Sequence, residues 1–320
     1  MKNNTLLKKE NLFITFLFLF SILINQYYGN KGVFPVDSFS HFDTGFRILL
    51  GDHPFKDYWV VSGPLLDYLQ GIFFYLFGES WQSYVFHASL FNGFLSLATF
   101  AILRNFKLNI YYSLIYSLLF SVLAYPVSGT PFVDHHSAFF SLLGIYSLIL
   151  GIKTEKKLYW FFLPILLVLA FLSKQIPSSY VIIIVILCLS IYSLVKKKYY
   201  WIKYSSLSIT VFIFLLLSFG KLQGISLSSF LEQYIFYPQS IKNETGTSLM
   251  ERFDNFKFTF RGVVDHFKFI YIALIPLFFV NIKSAFFNKG YFQDKNFYYF
   301  LILILFTFSL IFHQVLTRNQ

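Results

Sequence analysis

Long apolar runs recur along the whole chain, and they restrict the fold more than any other feature of the sequence. A straight helix needs about 20 apolar residues to cross a hydrocarbon core about 30 Å thick. Runs that approach or reach this length predict transmembrane helices over residues 11–28, 81–103, 110–124, 134–152, 158–172, 177–195, 204–219, 267–282 and 297–312. Only 13% of the 320 residues are charged, which is too little polar surface for a soluble domain of this size. We therefore predict an all-α fold, a polytopic transmembrane helical bundle of about nine spans.

The sequence around these runs indicates a single membrane domain over residues 1–320. The first run follows Lys2, Lys8 and Lys9 but lacks a small-residue cleavage site, which predicts a retained helix rather than a removed signal peptide. Cys188 is the only cysteine and lies in an apolar run, so the sequence offers neither a disulfide framework nor a thiolate metal cluster. No GxxxxGKS/T phosphate loop and no HExxH motif occurs.

Basic residues between the runs predict the orientation, because cytoplasmic loops carry an excess of Lys and Arg. An N-terminus in the cytoplasm places on the inner side Arg104, Lys107, Lys153, Lys156, Lys157, Lys196, Lys197, Lys198, Lys283, Lys289 and Lys295. The same asymmetry explains the net charge of +11 without a nucleic-acid partner. Two long segments then lie on the outer side, residues 29–80 and 220–266, and any chemistry in them uses a donor present at the outer leaflet.

The first outer segment contains two short helices that are too polar or too short to be spans. Residues 37–50 form an amphipathic pattern at 100° per residue. Its apolar side carries Phe39, Phe42, Phe46, Leu49 and Leu50. Its polar side carries Asp37, Ser40, His41, Thr44 and Arg47. Asp43 lies at the boundary, one turn before Arg47, where an ion pair can form. Residues 64–77 predict a second juxtamembrane helix, since they number only fourteen and include Asp67.

Asp37 has two interpretations. It follows Pro35 at the predicted start of the helix, where its carboxylate would cap backbone N–H groups. A carboxylate fixed beside the bilayer is also placed to act as a general base that takes the proton of an attacking hydroxyl. The two interpretations do not exclude each other.

The order of elements in this segment resembles a known family. An acidic residue follows the first span, a helix ends at Gly51, and the element Pro54-Phe55-Lys56-Asp57 precedes a helix led by Gly63-Pro64. This order resembles the first periplasmic or lumenal loop of the C-type (GT-C) membrane glycosyltransferase superfamily, and is similar to protein O-mannosyltransferases and bacterial aminoarabinose transferases. Those families carry two adjacent acids, whereas Ser38 follows Asp37 here. Asp43 is the candidate for the second carboxylate.

The resemblance implies an enzyme of the bacterial inner (plasma) membrane with its site on the periplasmic side. It would move a sugar from a polyprenyl-phosphate donor to a glycan, lipid or protein acceptor by an inverting displacement. Asp37 and Asp43 are the catalytic candidates, and His41 and Asp57 would support acceptor binding. Superfamily members commonly continue with more spans or an outer domain, so the chain is expected to be truncated at its C-terminus or to be a minimal version.

The leaving phosphate needs a cationic partner near the outer leaflet. Two short turns are also predicted on the outer side, residues 125–133 and 173–176, and their only charged residue is Lys174. A Lys-Gln pair at a comparable point recurs in related membrane glycosyltransferases. Lys174 and Gln175 are therefore predicted to bind the donor phosphate, with Arg252 of the second outer loop assisting. Snorkelling of Lys174 to lipid headgroups is the alternative. Tyr234 and Tyr237 are candidates to line an acceptor groove.

Asp134 and His135 begin a predicted span in "VDHHSAFF". Together they could bind a divalent cation, although adjacent side chains on a helix point to different sides and a shared ligand set needs other residues. Hydrogen bonding to the acceptor and capping of the helix by Asp134 are the alternatives. A divalent cation is therefore one of three interpretations of these residues.

Two other classes compete with the glycosyltransferase interpretation. A transporter or flippase of lipid-linked sugars would place ionisable residues near the bilayer midplane and show broken helices in matching halves. A polysaccharide polymerase or ligase also acts on lipid-linked sugars, but its key loop generally lies later in the chain and is rich in arginine.

Overall fold

A computed structural model describes residues 2–32, 37–244 and 256–317. Each of the nine predicted spans corresponds to one helix, and no β-strand occurs in these ranges. In chain order the helices are α1 Lys2–Gly29, α2 Asp37–Leu50, α3 Pro64–Phe77, α4 Trp81–Asn105, α5 Ile110–Leu123, α6 Val133–Thr154, α7 Lys157–Ser173, α8 Gln175–Lys196, α9 Tyr200–Leu222, α10 Leu227–Leu231, α11 Tyr237–Glu244, α12 Phe256–Phe287 and α13 Lys295–Thr317. One π-helical turn, Glu232–Phe236, joins α10 to α11. The predicted all-α bundle is confirmed.

Helix length separates the predicted spans into two groups. Seven helices of the described chain are long and apolar enough to cross a membrane: α1, α4, α6, α8, α9, α12 and α13. The other two, α5 with 14 residues and α7 with 17, are shorter apolar helices. At 1.5 Å per residue they reach about 21 Å and 26 Å, less than a hydrocarbon core about 30 Å thick. Both pack against longer neighbours, α5 on α1 and α4, and α7 on α6 and α9.

The apolar helices, long and short, form two packed groups. In the first, α1 lies against α4 and α5. In the second, α6, α7, α8 and α13 pack around one hydrophobic core that includes Trp160, Tyr192, Tyr298 and Ile302. Small residues allow the close approach of α6 and α7, because a methyl group added at Gly151 would lie 2.9 Å from the Trp160 ring. Helix α4 contacts α6 and so joins the two groups.

The basic loops meet at one end of the bundle. Glu155, directly after α6, lies 2.6 Å from Lys198 Nζ and 3.6 Å from Lys295 Nζ. Arg104 at the end of α4 pairs with Glu10 of α1 at 3.1 Å. The Lys198 hydrogen bond holds the pKa of the Glu155 carboxyl below its ordinary value. These contacts hold together, at one end of the bundle, the loops that their positive charge predicts to lie on the cytoplasmic side.

Helices α2 and α3 form a hairpin at the opposite end. They approach closely at Gly45, where an added methyl group would lie 2.5 Å from Gln70 Cγ. One turn earlier on α2, Phe42 contacts Phe74 of α3 and Tyr84 of α4 edge-on, with ring centroids 4.9 Å and 5.4 Å away. Both predicted juxtamembrane helices are confirmed, with the predicted bounds.

Part of the polar side of α2 is buried, although an amphipathic helix at the membrane surface is expected to turn its polar side to water or a cleft. His41 is buried and faces α3 together with Thr44. The physical reason is that α3 carries a carboxylate, Asp67, which needs hydrogen-bond donors inside the hairpin. The apolar residues Phe39 and Leu50 are exposed instead, as a lipid-facing position requires.

Candidate functional site

The loop between α2 and α3 is fixed to the segment that follows α9. Phe230 and Tyr234 stack on each other, and Phe55 contacts both rings edge-on and is almost fully buried. Gln233 adds two hydrogen bonds, since its Nε2 donates to Phe55 O at 3.2 Å and its Oε1 accepts the Val60 N–H at 3.0 Å. The two outer segments predicted from the sequence therefore form one surface.

Asp57 shapes this loop. Its carboxylate accepts the backbone N–H of His53 at 2.8 Å and lies 3.6 Å from Lys56 Nζ. Both contacts are local, so the structure gives Asp57 a role in holding the turn.

Asp67 is a buried carboxylate beneath the loop. It is 1% exposed and accepts hydrogen bonds from Thr44 Oγ1 at 2.5 Å and Tyr58 OH at 3.1 Å. His41 Nδ1 lies 3.1 Å from the oxygen that Thr44 also contacts. Burial raises the pKa of the Tyr58 phenol, and the neighbouring Asp67 charge raises it further, so the phenol keeps its proton and donates. Sequence reasoning missed Asp67 as a site residue, although an acid within an apolar helix was the available signal.

Lys174 and Asp134 form an ion pair at the same end of the bundle. Lys174 Nζ lies 2.7 Å from each carboxylate oxygen of Asp134, and both side chains are 25% exposed. His313 of α13 adds a ring nitrogen 4.0 Å from Asp134. The residue that caps α6 is Phe132, with Asp134 in the first turn, so the interpretation of Asp134 as the helix cap is wrong. The carboxylate of Asp134 is paired with the Lys174 ammonium instead.

Gln175 ties the loop to the helices. Its Nε2 donates to Val61 O at 2.7 Å and to Tyr234 O at 2.8 Å. Tyr234 is fully buried and donates to Phe171 O at 2.5 Å. Tyr234 therefore lies beneath the loop and does not line a groove, which corrects that expectation.

His135 faces away from the ion pair, as adjacent positions on a helix require. Its ring stacks on Tyr125 and contacts Phe139 edge-on. Within the described ranges, no three His, Cys, Asp or Glu side chains converge as a metal site. The divalent cation stays a prediction.

A chain of buried polar side chains crosses from the loop before α6 to α3. Tyr125 OH contacts His136 Nδ1, His136 Nε2 lies 3.2 Å from His87 Nε2, and His87 Nδ1 lies 2.9 Å from Gln70 Oε1. One assignment of protons satisfies every contact: Tyr125 donates to His136, His136 to His87 and His87 to Gln70, with both rings neutral. The sequence contains the residues of this hydrogen-bonded series, but it does not predict that they contact one another.

Gly63 lies between a neighbour of the buried carboxylate and a neighbour of the ion pair. A methyl group added there would lie 2.6 Å from Val133 Cγ1 and 2.9 Å from His41 Cε1. Val133 precedes Asp134 directly, and His41 contacts Asp67. The absence of a side chain at Gly63 therefore leaves room for both the ring of His41 and the first turn of α6.

The remaining predicted residues are placed as follows. Asp37 is the first residue of α2, and its side chain lies outside the described part of the structure. Asp43 is exposed and pairs with Arg47 at 3.1 Å, which confirms the predicted pair. Arg252 lies outside the described residues.

The comparison with known proteins agrees with the resemblance in the first outer segment. The family model for dolichyl-phosphate-mannose-protein mannosyltransferase matches residues 52–219, slightly more than half of the chain. The match contains Asp67, Asp134 and Lys174 and begins after α2, the helix of Asp37 and His41. No curated protein matches the chain at significant similarity. The matched region, with its apolar helices and the two charged clusters at one end, shows that the chain belongs to the dolichyl-phosphate-mannose-protein mannosyltransferase family of GT-C membrane glycosyltransferases.

Proposed function

We propose that this protein moves a sugar from a polyprenyl-phosphate donor to a hydroxyl acceptor at the outer face of the bacterial inner membrane. The observation that carries the proposal is the Lys174–Asp134 ion pair, which lies in the family-matched region at the end of the bundle opposite the basic loops. An ammonium that is partly exposed beside the bilayer suits a lipid-linked phosphate, which reaches the protein from the headgroup layer.

The chemical step needs one base and one cation. The acceptor oxygen attacks the anomeric carbon, a new C–O bond forms, and the bond from that carbon to the phosphate oxygen breaks. The hydroxyl proton passes to the Asp37 carboxylate, and the bond electrons leave with the polyprenyl phosphate. Lys174 stabilises the negative charge that grows on the leaving phosphate. Attack from the face opposite the phosphate inverts the anomeric centre.

The other site residues take supporting roles in this proposal. Asp134 holds Lys174 in place while the donor is absent. Gln175 fixes the loop, since its amide hydrogens are given to Val61 and Tyr234. Arg252 and Asp43 are the further candidates for the phosphate and for the acceptor proton.

Sugar transfer in membranes tests the proposal, with labelled polyprenyl-phosphate sugars as donors. We expect Asp37→Asn and Lys174→Ala each to reduce transfer by at least 100-fold, a typical contribution of acid–base or charge stabilisation (roughly 10²–10³). Glu79→Gln and Lys221→Ala are matched controls, because both residues are exposed on the same end and lie outside the two clusters. Transfer by wild-type membranes that survives both site substitutions would contradict the assigned roles, and no transfer with any donor would contradict the function.

A further inference from the structure

Asp67 and His41 form a hydrogen-bonded pair that no step of the proposed reaction uses. We propose that Asp67 is a positioning residue: it holds the proton of His41 on Nδ1, so that Nε2 accepts a hydrogen bond from a hydroxyl group of the donor sugar or of the acceptor. The identity of the hydroxyl that Nε2 binds rests on the proposed function. The position of the proton on His41 does not depend on it.

The first step of the argument concerns the carboxylate. Asp67 is 1% exposed, and a buried carboxylate must be surrounded by donors. Thr44 and Tyr58 each offer one O–H, and the third neighbour is His41 Nδ1 at 3.1 Å. An ionised carboxylate only accepts hydrogen bonds, so the nitrogen that faces it carries the proton.

The second step concerns the ring. In a neutral imidazole with its proton on Nδ1, Nε2 is an acceptor. Nδ1 faces the buried carboxylate, and 10% of the His41 side chain is exposed. Among the described residues, none is hydrogen-bonded to Nε2. A neutral acceptor at such a position is complementary to an O–H donor, the group that sugars and their acceptors carry.

The third step concerns location. His41 lies one helical turn after Asp37, so the two positions share one side of α2. The ring also contacts Gly63, which packs against Val133 in the first turn of α6, next to Asp134. The ring of His41 is therefore one helical turn from the position proposed for the base, and it contacts the glycine that packs against the first turn of α6, which carries Asp134.

The tautomer can be measured without any substrate. Nitrogen NMR of protein labelled with ¹⁵N-histidine at pH 8, with His41→Gln to assign the signal, is expected to show the proton on Nδ1. In Asp67→Asn the amide can turn its NH₂ toward the ring, and the form protonated on Nε2 should appear. Thr44→Val is the control, since it removes a neighbour of Asp67 but leaves the Asp67–His41 contact. A wild-type ring protonated on Nε2, alone or with Nδ1, would overturn the proposal.

Kinetics tests the hydroxyl. His41→Phe keeps a flat ring but removes the acceptor atom, and should raise the KM of one substrate by about 3- to 10-fold, the usual effect of one neutral hydrogen bond. His41→Gln restores an acceptor and should recover part of this loss. Separate KM values for donor and acceptor identify which molecule carries the hydroxyl. Unchanged KM values for both substrates in His41→Phe would overturn the hydroxyl assignment.

Failure of this inference can be told apart from failure of the proposed function. A protein with the expected tautomer that transfers no sugar from any polyprenyl-phosphate donor contradicts the function and keeps Asp67 as the residue that orients His41. A protein that transfers sugar with the other tautomer contradicts the inference alone.

Discussion

Lys174 Nζ lies 2.7 Å from both carboxylate oxygens of Asp134, so the cation proposed to bind the donor phosphate already holds an anion. A phosphate that approaches Lys174 must share the ammonium with this carboxylate or displace it. The pair thus sets the affinity for the donor in two opposite ways, by orienting the lysine and by competing for it.

Removing the competing carboxylate should therefore strengthen donor binding. We expect Asp134→Asn to lower the KM for the polyprenyl-phosphate sugar by roughly 3- to 10-fold, the effect of one partly exposed ion pair. Lys174→Ala should change it in the opposite direction. Initial rates at varied donor concentration measure both. A donor KM that rises in Asp134→Asn would mean that the carboxylate mainly orients the lysine.

Gly63 should not tolerate a side chain, for two separate reasons. Its φ of +80° and ψ of +21° lie in the left-handed helical region, where alanine costs about 1 kcal/mol of strain. The new methyl group also meets Val133 and His41, which adds about 1–3 kcal/mol of crowding. Gly78→Ala is a control for backbone strain without crowding, because its φ of +82° and ψ of +159° suit only glycine but nothing lies within 4 Å of the added methyl group. We expect both variants to be less stable than the wild type.

Thermal unfolding in detergent, followed with sugar transfer, separates the two glycine variants. Gly63→Ala should also reduce transfer, because the displaced ring of His41 and the first turn of α6 belong to the site. Equal transfer by Gly63→Ala and Gly78→Ala would show that the contact across Gly63 is unimportant.

The buried chain from Tyr125 to Gln70 should behave as one unit. Phenylalanine at His87 or at His136 leaves a buried partner without its hydrogen bond, and each change should cost about 1–3 kcal/mol of unfolding free energy. The double variant should cost less than the sum, since both members of the 3.2 Å contact are then gone. A double-mutant cycle from thermal unfolding measures this coupling, and simple additivity would contradict it.

Glu155 should stabilise the basic end only while it is ionised. The Lys198 hydrogen bond lowers its pKa in the folded protein, so this stability is present above the pKa of the unfolded chain and is lost as the pH falls through the folded value. The side chain is 37% exposed, and screening limits the effect to about 0.3–1 kcal/mol.

Glu155→Gln tests this linkage. Its unfolding midpoint should lie below that of the wild type at pH 7, and the difference should shrink toward pH 3. Glu79→Gln, an exposed acid at the other end, controls for the general effect of charge removal. A difference of constant size over the whole pH range would argue against the ionised pair.

Periodicity and spacing predicted the helices well and predicted side-chain partners poorly. The bounds of α2 and the Asp43–Arg47 pair followed from the sequence, because both depend on neighbours within four residues. Capping of α6 by Asp134 was the wrong choice, because the partner that decided it, Lys174, lies 40 residues away. Likewise, Tyr234 was expected on a groove wall, yet Phe55 of the first outer segment covers it.

The sequence by itself determined the membrane bundle, the two juxtamembrane helices and the family resemblance, since apolar length, helical period and motif order are local properties of the chain. Only the tertiary structure decided that Asp67 is buried against His41, that Asp134 holds Lys174, and that Gly63 lies against both His41 and Val133. Buried polar groups take whichever donors and acceptors the packing of distant helices places beside them. No local pattern in a sequence encodes that choice.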